Sequence, residues 1–395
     1  MQLHDELTLM TQILKLLYKN AFRHKLRTWL TILGITIAIL AFGFLRTVVS
    51  AWYAGVEASS STRLVTRNSI SLIFPLPLSY LDTIRRIPGV RGITYAYWFG
   101  GVYITEKNFI PNFAADIKSF LELYPEFILP EDQKNAVLRD RKAFVAGRKL
   151  TERFGWKIGD LITLKGTIFP GNWELVLRGI YRGAEKSTDE TQLIFHWDYL
   201  NESLKKISPG RADQVGWYVV GVTNPALVAE VAQAIDSTFK NSLAETLTET
   251  EKAFQMSFVS MTEAIVVAIQ LVSFVVIIII MAVMANTMSM TARERTGEYA
   301  IMKTLGFGGG HIAGLIMGES LVIAAIGCIL GIMLTFPAAK AFGDEMSAFF
   351  PVFIVSRGTV YLDIAAAVVV GLVAAVFPAY RSINLRIADG LRRIV

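Results

Sequence analysis

The sequence predicts a membrane protein with four transmembrane helices and a large α+β extracytoplasmic domain between helices one and two. Hydrophobic residues make up 53% of the 395 residues and charged residues only 18%. Four stretches lack a charged side chain for long enough to cross, or nearly cross, about 30 Å of hydrocarbon. They are residues 28–45, 264–292, 320–339 and 364–380. Roughly 210 residues of ordinary soluble composition separate the first two stretches, enough for an independently folded domain.

Basic side chains predict how these helices are oriented. The formal net charge is +6, and the basic residues cluster before the first stretch, between the second and third, and after the fourth. With four spans, all three clusters fall on one side, which the positive-inside rule makes the cytoplasm. We therefore expect both termini inside, the large domain outside, and no nucleic acid partner. The clusters are Lys15, Lys19, Arg23, Lys25 and Arg27; Arg293, Arg295 and Lys303; and Arg381, Arg386, Arg392 and Arg393.

The predicted order of segments follows from these spans. Apolar residues recur at helical spacing before the first span, which predicts an amphipathic helix on the inner membrane lipid, with a buried soluble helix as the alternative. The third span begins near Ile312 and so contains Glu319. The segments are the amphipathic helix 1–27, the first span 28–49, the α+β domain 50–258, a stalk with the second span 259–291, a charged cytoplasmic helix 292–310, the third span 311–339, a short external loop 340–360, the fourth span 361–380 and a cytoplasmic tail 381–395.

The predicted α+β domain alternates short strands and helices. Between residues 245 and 296 a helical pattern continues without Gly or Pro, so we predict a continuous rod of roughly 75 Å, with a break near 258–261 as the alternative. Before residue 245, turn residues and runs of β-forming residues predict the positions of the other strands and helices. We predict strands at 69–74, 92–97, 101–104, 161–165, 173–181, 192–196 and 216–222, and helices at 78–87, 148–154 and 224–241.

A charged segment lies between the second and third spans. Five charges occur between Arg293 and Lys303, with apolar residues among them. A short helix held between two membrane spans stays near the bilayer surface, where its apolar side chains remain in reach of a partner. The alternative is a solvated loop whose positive charges only fix the orientation. The apolar residues are Tyr299, Ala300, Ile301, Met302 and Leu305.

Several kinds of chemistry find no support in the sequence. No Gly-x-x-x-x-Gly-Lys-Ser/Thr loop for ATP phosphates occurs, and the four histidines are scattered, without zinc-protease spacing. The single cysteine, Cys328, lies in a span and forms no intrachain disulfide. Glu319 is the exception in nearly charge-free spans, which argues against a proton relay. It either contacts the cytoplasmic helix or a partner subunit, or sits at the lipid headgroups.

Three motifs, in order, give the chain a resemblance to a known family. They are the stretch 20–35 entering the first span, the Arg-Glu-Arg-Thr-Gly-Glu-Tyr-Ala-Ile-Met-Lys-Thr-Leu-Gly core at 293–306, and Phe-Pro-Ala-Tyr-Arg-Ser at 377–382 with Leu-Arg at 391–392. Over essentially its full length the chain resembles the permease subunits of the MacB–FtsX–Lol (type VII) superfamily of ABC transporters. One departure is that residues 387–388 are Ile-Ala, where family members usually have a proline.

The resemblance implies a dimer of permease subunits, identical or not, in the bacterial inner membrane. A separate ATPase subunit would bind ATP and Mg²⁺, and this chain would bind no cofactor or metal and would not itself be an enzyme. Family permeases work by mechanotransmission, in which ATP-driven closure reshapes the external domain. The implied ATPase-coupling residues are Arg293, Glu294, Arg295, Glu298, Tyr299, Ile301, Met302, Lys303 and Leu305, with Glu319 as an intramembrane contact.

Two functions are compatible with this resemblance. The first is export or extrusion of a lipid, lipoprotein or amphiphilic substrate, with a periplasmic adaptor or chaperone as a further partner. The alternative is an FtsX-like signalling permease that regulates a periplasmic cell-wall hydrolase, but such members typically have a smaller outer domain. Lipoprotein-releasing members carry a long hook, whereas the connection 166–172 is short, which favours a MacB-like domain. A membrane-anchored enzyme is a third class, for which we find no catalytic constellation.

Overall fold

A computed structural model describes residues 17, 19–106, 108, 110–346, 350–384 and 386. Most of the predicted amphipathic helix and the end of the tail therefore lie outside the described residues. The chain divides into two compact units. The helical unit comprises residues 1–50, 264–342 and 353–395, and the α+β unit comprises residues 51–263 and 343–352.

Four apolar helices are long enough to cross a membrane, as predicted. Each has at least 27 residues, which at 1.5 Å per residue is about 40 Å and exceeds the hydrocarbon thickness. They are α1 (Lys25–Ala58), α9 (Glu263–Glu294), α11 (Gly309–Glu345) and α12 (Arg357–Ile383).

These helices extend beyond the charge-free stretches of the sequence, and this has a consequence for their charges. Arg46 lies within α1 and Asp363 within α12. The apolar helices therefore contain ionisable residues besides Glu319 that the charge-free stretches leave out. A charge-free stretch ends by definition at the first charged residue, whereas a helix can continue past a charged residue that is buried among its neighbours.

Small residues let helices of the helical unit approach closely. A Cβ added to Gly327 of α11 would lie 2.6 Å from Ile35 of α1, and one added to Gly331 would lie 2.8 Å from Ile39. Only glycine fits at both positions, four residues apart, so α1 and α11 pack along a small-residue stripe. A Cβ added to Gly34 of α1 would lie 3.3 Å from Ile280 of α9.

The α+β unit is built on one large mixed sheet. Its strands follow the order β13-β1-β12-β3-β5-β10-β7-β9-β8-β4, with β6 beside β9, and β11 and β2 form a separate pair. The pairs β5–β10 and β7–β9 are parallel and the other pairs are antiparallel. The strands are β1 (Arg63–Asn68), β2 (Leu76–Pro77), β3 (Val90–Trp98), β4 (Gly101–Val102), β5 (Asn112–Ala115), β6 (Phe127–Ile128), β7 (Ala143–Gly147), β8 (Leu161–Gly166), β9 (Gly171–Gly183), β10 (Leu193–His196), β11 (Gln214–Val215), β12 (Trp217–Val222) and β13 (Thr246–Thr250).

Short helices cover this sheet and close its core. Strand β8 alternates exposed and buried residues, the pattern of a strand with one face on the core. Residues 167–170 join it to β9, so the connection is short, as predicted. The helices are α2 (Tyr80–Arg85), α3 (Ile117–Leu123), α4 (Glu131–Arg139), α5 (Arg148–Phe154), α6 (Trp197–Ile207), α7 (Val228–Thr238) and α8 (Glu251–Met261), with 3₁₀ turns at Pro209–Arg211 and Pro225–Leu227.

The predicted continuous helix from residue 245 is wrong. Residues Thr246–Thr250 form β13, which pairs with β1 in the large sheet. Alternating threonines suit a strand because the β-branched side chain packs well on a pleated surface. The side chain of Thr250 then accepts a hydrogen bond from the backbone N–H of Ala253 and caps α8, and a further break at Thr262 separates α8 from α9.

The other predicted elements of this unit fare unevenly. The strand predicted at 69–74 is wrong, because the strand is β1 at Arg63–Asn68 and a hydrogen-bonded turn follows it. The helix predicted at 148–154 is confirmed as α5, and the strands at 92–97 and 216–222 are confirmed as parts of β3 and β12. Local patterns thus locate most elements, and the error falls where a polar strand joins the sheet.

Candidate functional site

The charged segment after α9 forms a separate short helix, α10 (Thr296–Thr304). Helix α9 ends at Glu294, and the backbone of Arg295 leaves the helical region, with φ −96° and ψ 13°. At the other end Gly306 has φ +92°, a conformation that glycine adopts at little cost. The backbone N–H of Gly306 donates to Lys303 and that of Phe307 to Met302, which closes the helix end.

One face of α10 is buried within the helical unit. Tyr299 is 1% exposed and Ala300 is fully buried, while Met302 packs partly buried against the same core. The prediction that Tyr299 and Ala300 remain in reach of a partner is therefore wrong. The neighbouring helices, rather than the sequence of α10 itself, determine which face turns inward. Burial also raises the pKa of Tyr299 to about 12.

Exposed apolar side chains lie on the opposite side of α10 and just after its last residue. Ile301 is 47% exposed, Leu305 is 72% exposed and Phe307 is 50% exposed. Ile301 and Leu305 are four residues apart and so lie on the same side of the helix. We call these three residues the apolar edge. The sequence prediction included the first two and missed Phe307, which is the next apolar residue after the glycine stop.

A chain of ion pairs holds the inner side of α10. Arg295 donates one hydrogen bond to Glu319 of α11 and another, of 3.0 Å, to Glu298. Glu298 in turn accepts from Arg23, which precedes α1. The side chains of Arg295 and Glu319 are 6% and 3% exposed. Of the two positions considered for Glu319, the structure therefore shows the contact with the charged segment, not an exposed place among lipid headgroups.

The ionisation of these groups follows from their pairing. Burial alone would raise the pKa of Glu298, but hydrogen bonds from Arg23 and Arg295 hold it below its usual value. Burial alone would lower the pKa of Arg295, yet Tyr299 and the hydrogen bond to Glu319 raise it. Both groups therefore remain charged at neutral pH.

Two further contacts connect the segment to its neighbours. Glu294 accepts two hydrogen bonds from Arg27, of 2.9 and 2.7 Å, and lies 3.4 Å from His24. The ammonium group of Lys303 donates to the main-chain oxygen of Ile383, the last residue of α12, at 2.6 Å. Side chains thus join the charged segment to α1, α11 and α12, while the chain itself continues from α9.

The predicted coupling residues therefore separate into two groups. Glu294, Arg295, Glu298 and Lys303 are engaged within the chain, whereas Arg293 is exposed and forms no ion pair among the described residues. Sequence reasoning missed the partners Arg23, His24 and Arg27. Their signal is present in the sequence, because basic residues precede the first span and acidic residues follow the second.

No metal centre emerges from the part of the chain that the structure describes. A search of those residues finds no group of three or more His, Cys, Asp or Glu side chains that could hold a metal ion. What the site offers is a structural arrangement: an exposed apolar edge on a short helix, whose other side is fixed by ion pairs, of which Arg295–Glu319 is buried. Such a surface is suited to binding a protein.

Comparison with known proteins finds similar permeases. Residues 270–387, which include α10, match the family described as FtsX-like permease C-terminal. The uncharacterized ABC transporter permease MJ1507 of Methanocaldococcus jannaschii is 25% identical over 96% of this chain and 97% of its own length. The uncharacterized ABC transporter permease YvrN of Bacillus subtilis is 24% identical over 97% of this chain and all of its own.

Two further similarities are partial. The macrolide export ATP-binding/permease protein MacB of Nitrobacter winogradskyi is 31% identical over 109 residues, which cover 27% of this chain and 16% of that protein. The crystal structure of the periplasmic region of MacB from Actinobacillus actinomycetemcomitans covers 51% of this chain and 95% of its own, with 8% identity and a TM-score of 0.37. A TM-score this low supports no conclusion about this chain. The match around α10 and the alignment along nearly the whole length show that the chain is similar to two ABC transporter permeases, and that residues 270–387 are similar to the FtsX-like permease C-terminal family.

Proposed function

We propose that this permease couples ATP hydrolysis by a separate ABC ATPase subunit to a conformational change of its α+β domain. An ABC transporter permease implies an ATP-binding partner, and we assign ATP and Mg²⁺ to that partner. The observation that carries the proposal is the apolar edge of α10. Ile301, Leu305 and Phe307 are exposed, and exposed apolar side chains of this kind supply most of the affinity of protein interfaces.

A docking helix must also pass on the force that it receives. Helix α10 meets this requirement because the ion pair of Arg295 with Glu319 and the bond of Lys303 to Ile383 fix it to α11 and α12. Interiors as dense as protein cores transmit displacement rather than absorb it. A displacement of the apolar edge would therefore move the ends of the apolar helices together with α10.

The chain connectivity offers a path from these helices into the sheet. Helix α1 continues through a four-residue link into β1, and β13 leads through α8 towards α9. Strands β1 and β13 are neighbours in the sheet, so both connections reach the domain side by side. Within the α+β unit, Arg63 at the start of β1 bonds Glu251 of α8 at 2.8 Å and Glu126 at 2.6 Å.

This mechanism places the chain in the inner membrane with both termini in the cytoplasm and the α+β domain outside. Only 17% of the most apolar window of α9 is buried within the chain, which leaves a long apolar surface for lipid and for a second permease subunit. A cysteine in place of the exposed Glu202, in a Cys328→Ser background, tests the orientation. A membrane-impermeant thiol reagent should label this cysteine in intact cells. Protection of the cysteine from labelling would contradict the proposed orientation.

The cargo that we propose is a lipid, lipoprotein or other hydrophobic molecule acted on from the outer side of the membrane. The four-residue connection between β8 and β9 leaves no room for the long hook of lipoprotein-releasing members, which supports a MacB-like domain. A periplasmic adaptor is the further partner that such a domain would use. The signalling alternative would instead produce a stable complex with a cell-wall hydrolase.

Purification of the tagged chain in mild detergent tests the coupling. We expect an ABC ATPase subunit to copurify, and Ile301→Asp to reduce the amount recovered by more than about tenfold. An unpaired carboxylate in an apolar contact costs well above the 1.4 kcal/mol that corresponds to that factor. Mass spectrometry and quantitative blotting give the ratio of the two subunits.

A matched variant separates a docking defect from a general effect of the new charge. Ile158 of the α+β unit is 46% exposed, close to the 47% of Ile301, so Ile158→Asp should leave the ATPase ratio unchanged. Both variants should elute like the wild type in size-exclusion chromatography. If Ile301→Asp retains a wild-type amount of ATPase, the apolar edge is not the docking surface.

A further inference from the structure

Asp363 is a carboxyl group buried within the helical unit. It lies in the second turn of α12 and is fully buried, and neither of its carboxyl oxygens has a hydrogen-bond partner among the described residues. Buried polar groups are almost always paired, so each exception calls for an explanation. An ionisable residue inside a membrane span is moreover a candidate for function.

The surroundings of Asp363 are shaped to its carboxyl group. A Cβ added to Gly43 of α1 would lie 2.7 Å from Oδ2 and 3.2 Å from Oδ1, so the carboxyl lies directly on the glycine backbone. The thiol of Cys328 in α11 contacts the main-chain oxygen of Asp363 at 3.8 Å and leaves its carboxyl unpaired. The hydroxyl of Thr47 is already bonded to the carbonyl of Gly43.

An ionised carboxylate would not be stable in this position. Removing a carboxylate from water without a partner costs several kcal/mol, and groups in that situation neutralise instead. Geometry and burial therefore imply that Asp363 carries a proton in the arrangement described. The space beside Gly43 accommodates a neutral carboxylic acid and, among the described residues, contains no cation that would balance the charge of a carboxylate.

A complementary charge lies one helical turn away on α1. Arg46 follows Gly43 by three residues, which corresponds to about 4.5 Å along the helix and nearly the same face. Its Nε atom is buried without a partner, and its guanidinium forms no ion pair among the described residues. Side chains on a helix lean towards its N-terminus, which directs Arg46 back towards the level of Gly43.

We propose that Asp363 is a proton-binding site of the helical unit, and that its ionised form pairs with Arg46 of α1. The proton leaves the carboxyl oxygen for water, no other bond breaks, and the carboxylate exchanges its contact with Gly43 for one with the guanidinium. A shift of α1 against α12 by up to one turn, a known type of helix displacement, brings the two charges together. This proposal does not depend on the ATPase coupling.

Few other ionisable groups can take part in this titration. Arg46 on α1 and the thiol of Cys328 on α11 are those nearest the carboxyl by contact or register. Helix α9 has none between Glu263 and Arg293. Arg46 is therefore the cation whose removal tests the proposal.

Infrared spectroscopy of the full chain in lipid nanodiscs provides the test, because a protonated carboxyl group has its own carbonyl band. We expect such a band in the wild type and its loss in the nearly isosteric Asp363→Asn. As pH rises, the band should disappear through ionisation. In Arg46→Gln the midpoint should move up by about 1 to 3 pH units, the usual effect of losing a nearby opposite charge, while Arg46→Lys should stay near the wild type.

Two controls make each outcome informative. Arg357→Gln removes an exposed cation at the start of α12 and should leave the midpoint unchanged, and size-exclusion chromatography reports folding. If Asp363→Asn removes no band, Asp363 binds no proton and the proposal fails. An unchanged midpoint in Arg46→Gln also overturns it, and because that variant keeps Asp363, this result stands even if Asp363→Asn does not fold.

Discussion

The buried ion pair between Arg295 and Glu319 gives the sharpest prediction for stability. Glu319→Gln removes the negative charge with little change of shape and leaves the buried Arg295 guanidinium with Glu298 as its remaining carboxylate. Breaking a buried pair by removing one partner costs about 3 to 5 kcal/mol. Because Glu298 still compensates part of the charge, we expect the lower end, about 3 kcal/mol.

Thermal unfolding of the purified chain in detergent measures this cost. For a unit of this size, 1 kcal/mol corresponds to about 2–4 °C, so the unfolding midpoint should fall by about 6 to 12 °C. Glu345→Gln, an exposed acid near the other end of the same helix, should change the midpoint by less than about 2 °C, as exposed charges contribute little. An equal, small effect of both variants would refute the assignment of a stabilising buried pair.

The double variant checks the physical reason. Replacing both partners with apolar residues, Arg295→Met with Glu319→Leu, removes the uncompensated charge. Such replacements are often neutral or stabilising, so the double variant should be more stable than Glu319→Gln alone. A double variant that loses the sum of both single effects would show instead that the pair's own attraction dominates.

Three further predictions concern single positions, each read by the unfolding midpoint. Gly43→Ala forces a methyl group against a carboxyl oxygen of Asp363 that is 2.7 Å away and should cost about 1–3 kcal/mol. The control Gly314→Ala places its methyl group in open space and should be neutral or slightly stabilising. Equal effects of the two variants would contradict the packing argument. Arg63→Met leaves the buried carboxylate of Glu251 and the partly buried carboxylate of Glu126 without their arginine partner and should cost about 3–5 kcal/mol. The exposed Arg91→Met should cost little. The pKa of Glu298 is lowered in the folded state. The stability that its ionised carboxylate contributes is therefore present above the pKa of the unfolded state and is lost as the pH falls through the pKa of the folded state. Glu298→Gln should make the unfolding midpoint less sensitive to acid, and an unchanged pH profile would argue against the pairing of Glu298 with Arg23 and Arg295.

The apolar helices could be predicted from sequence because hydrocarbon imposes a length and a composition on whole segments. The strand β13 could not, since a helical pattern and a polar strand are locally similar, and pairing with β1 decides between them. Tertiary context therefore outweighed local propensity at Thr246–Thr250.

The candidate site shows the same division. Its position and its charged residues follow from the sequence, but the inward direction of Tyr299 depends on how α10 packs against other helices. Asp363 was missed because it stands just before a charge-free stretch, and its burial against Gly43 only becomes visible once two distant helices are side by side.

Cross-linking at the apolar edge tests the central claim most directly. A photo-activated benzoylphenylalanine in place of Leu305, which is 72% exposed, should form an adduct with an ABC ATPase subunit in intact membranes. The same probe at Leu161, an exposed leucine of β8, should form none. An ATPase adduct at Leu305 alone is the result that we predict, and its absence there, with the probe photoactive and the chain correctly inserted, would contradict the account.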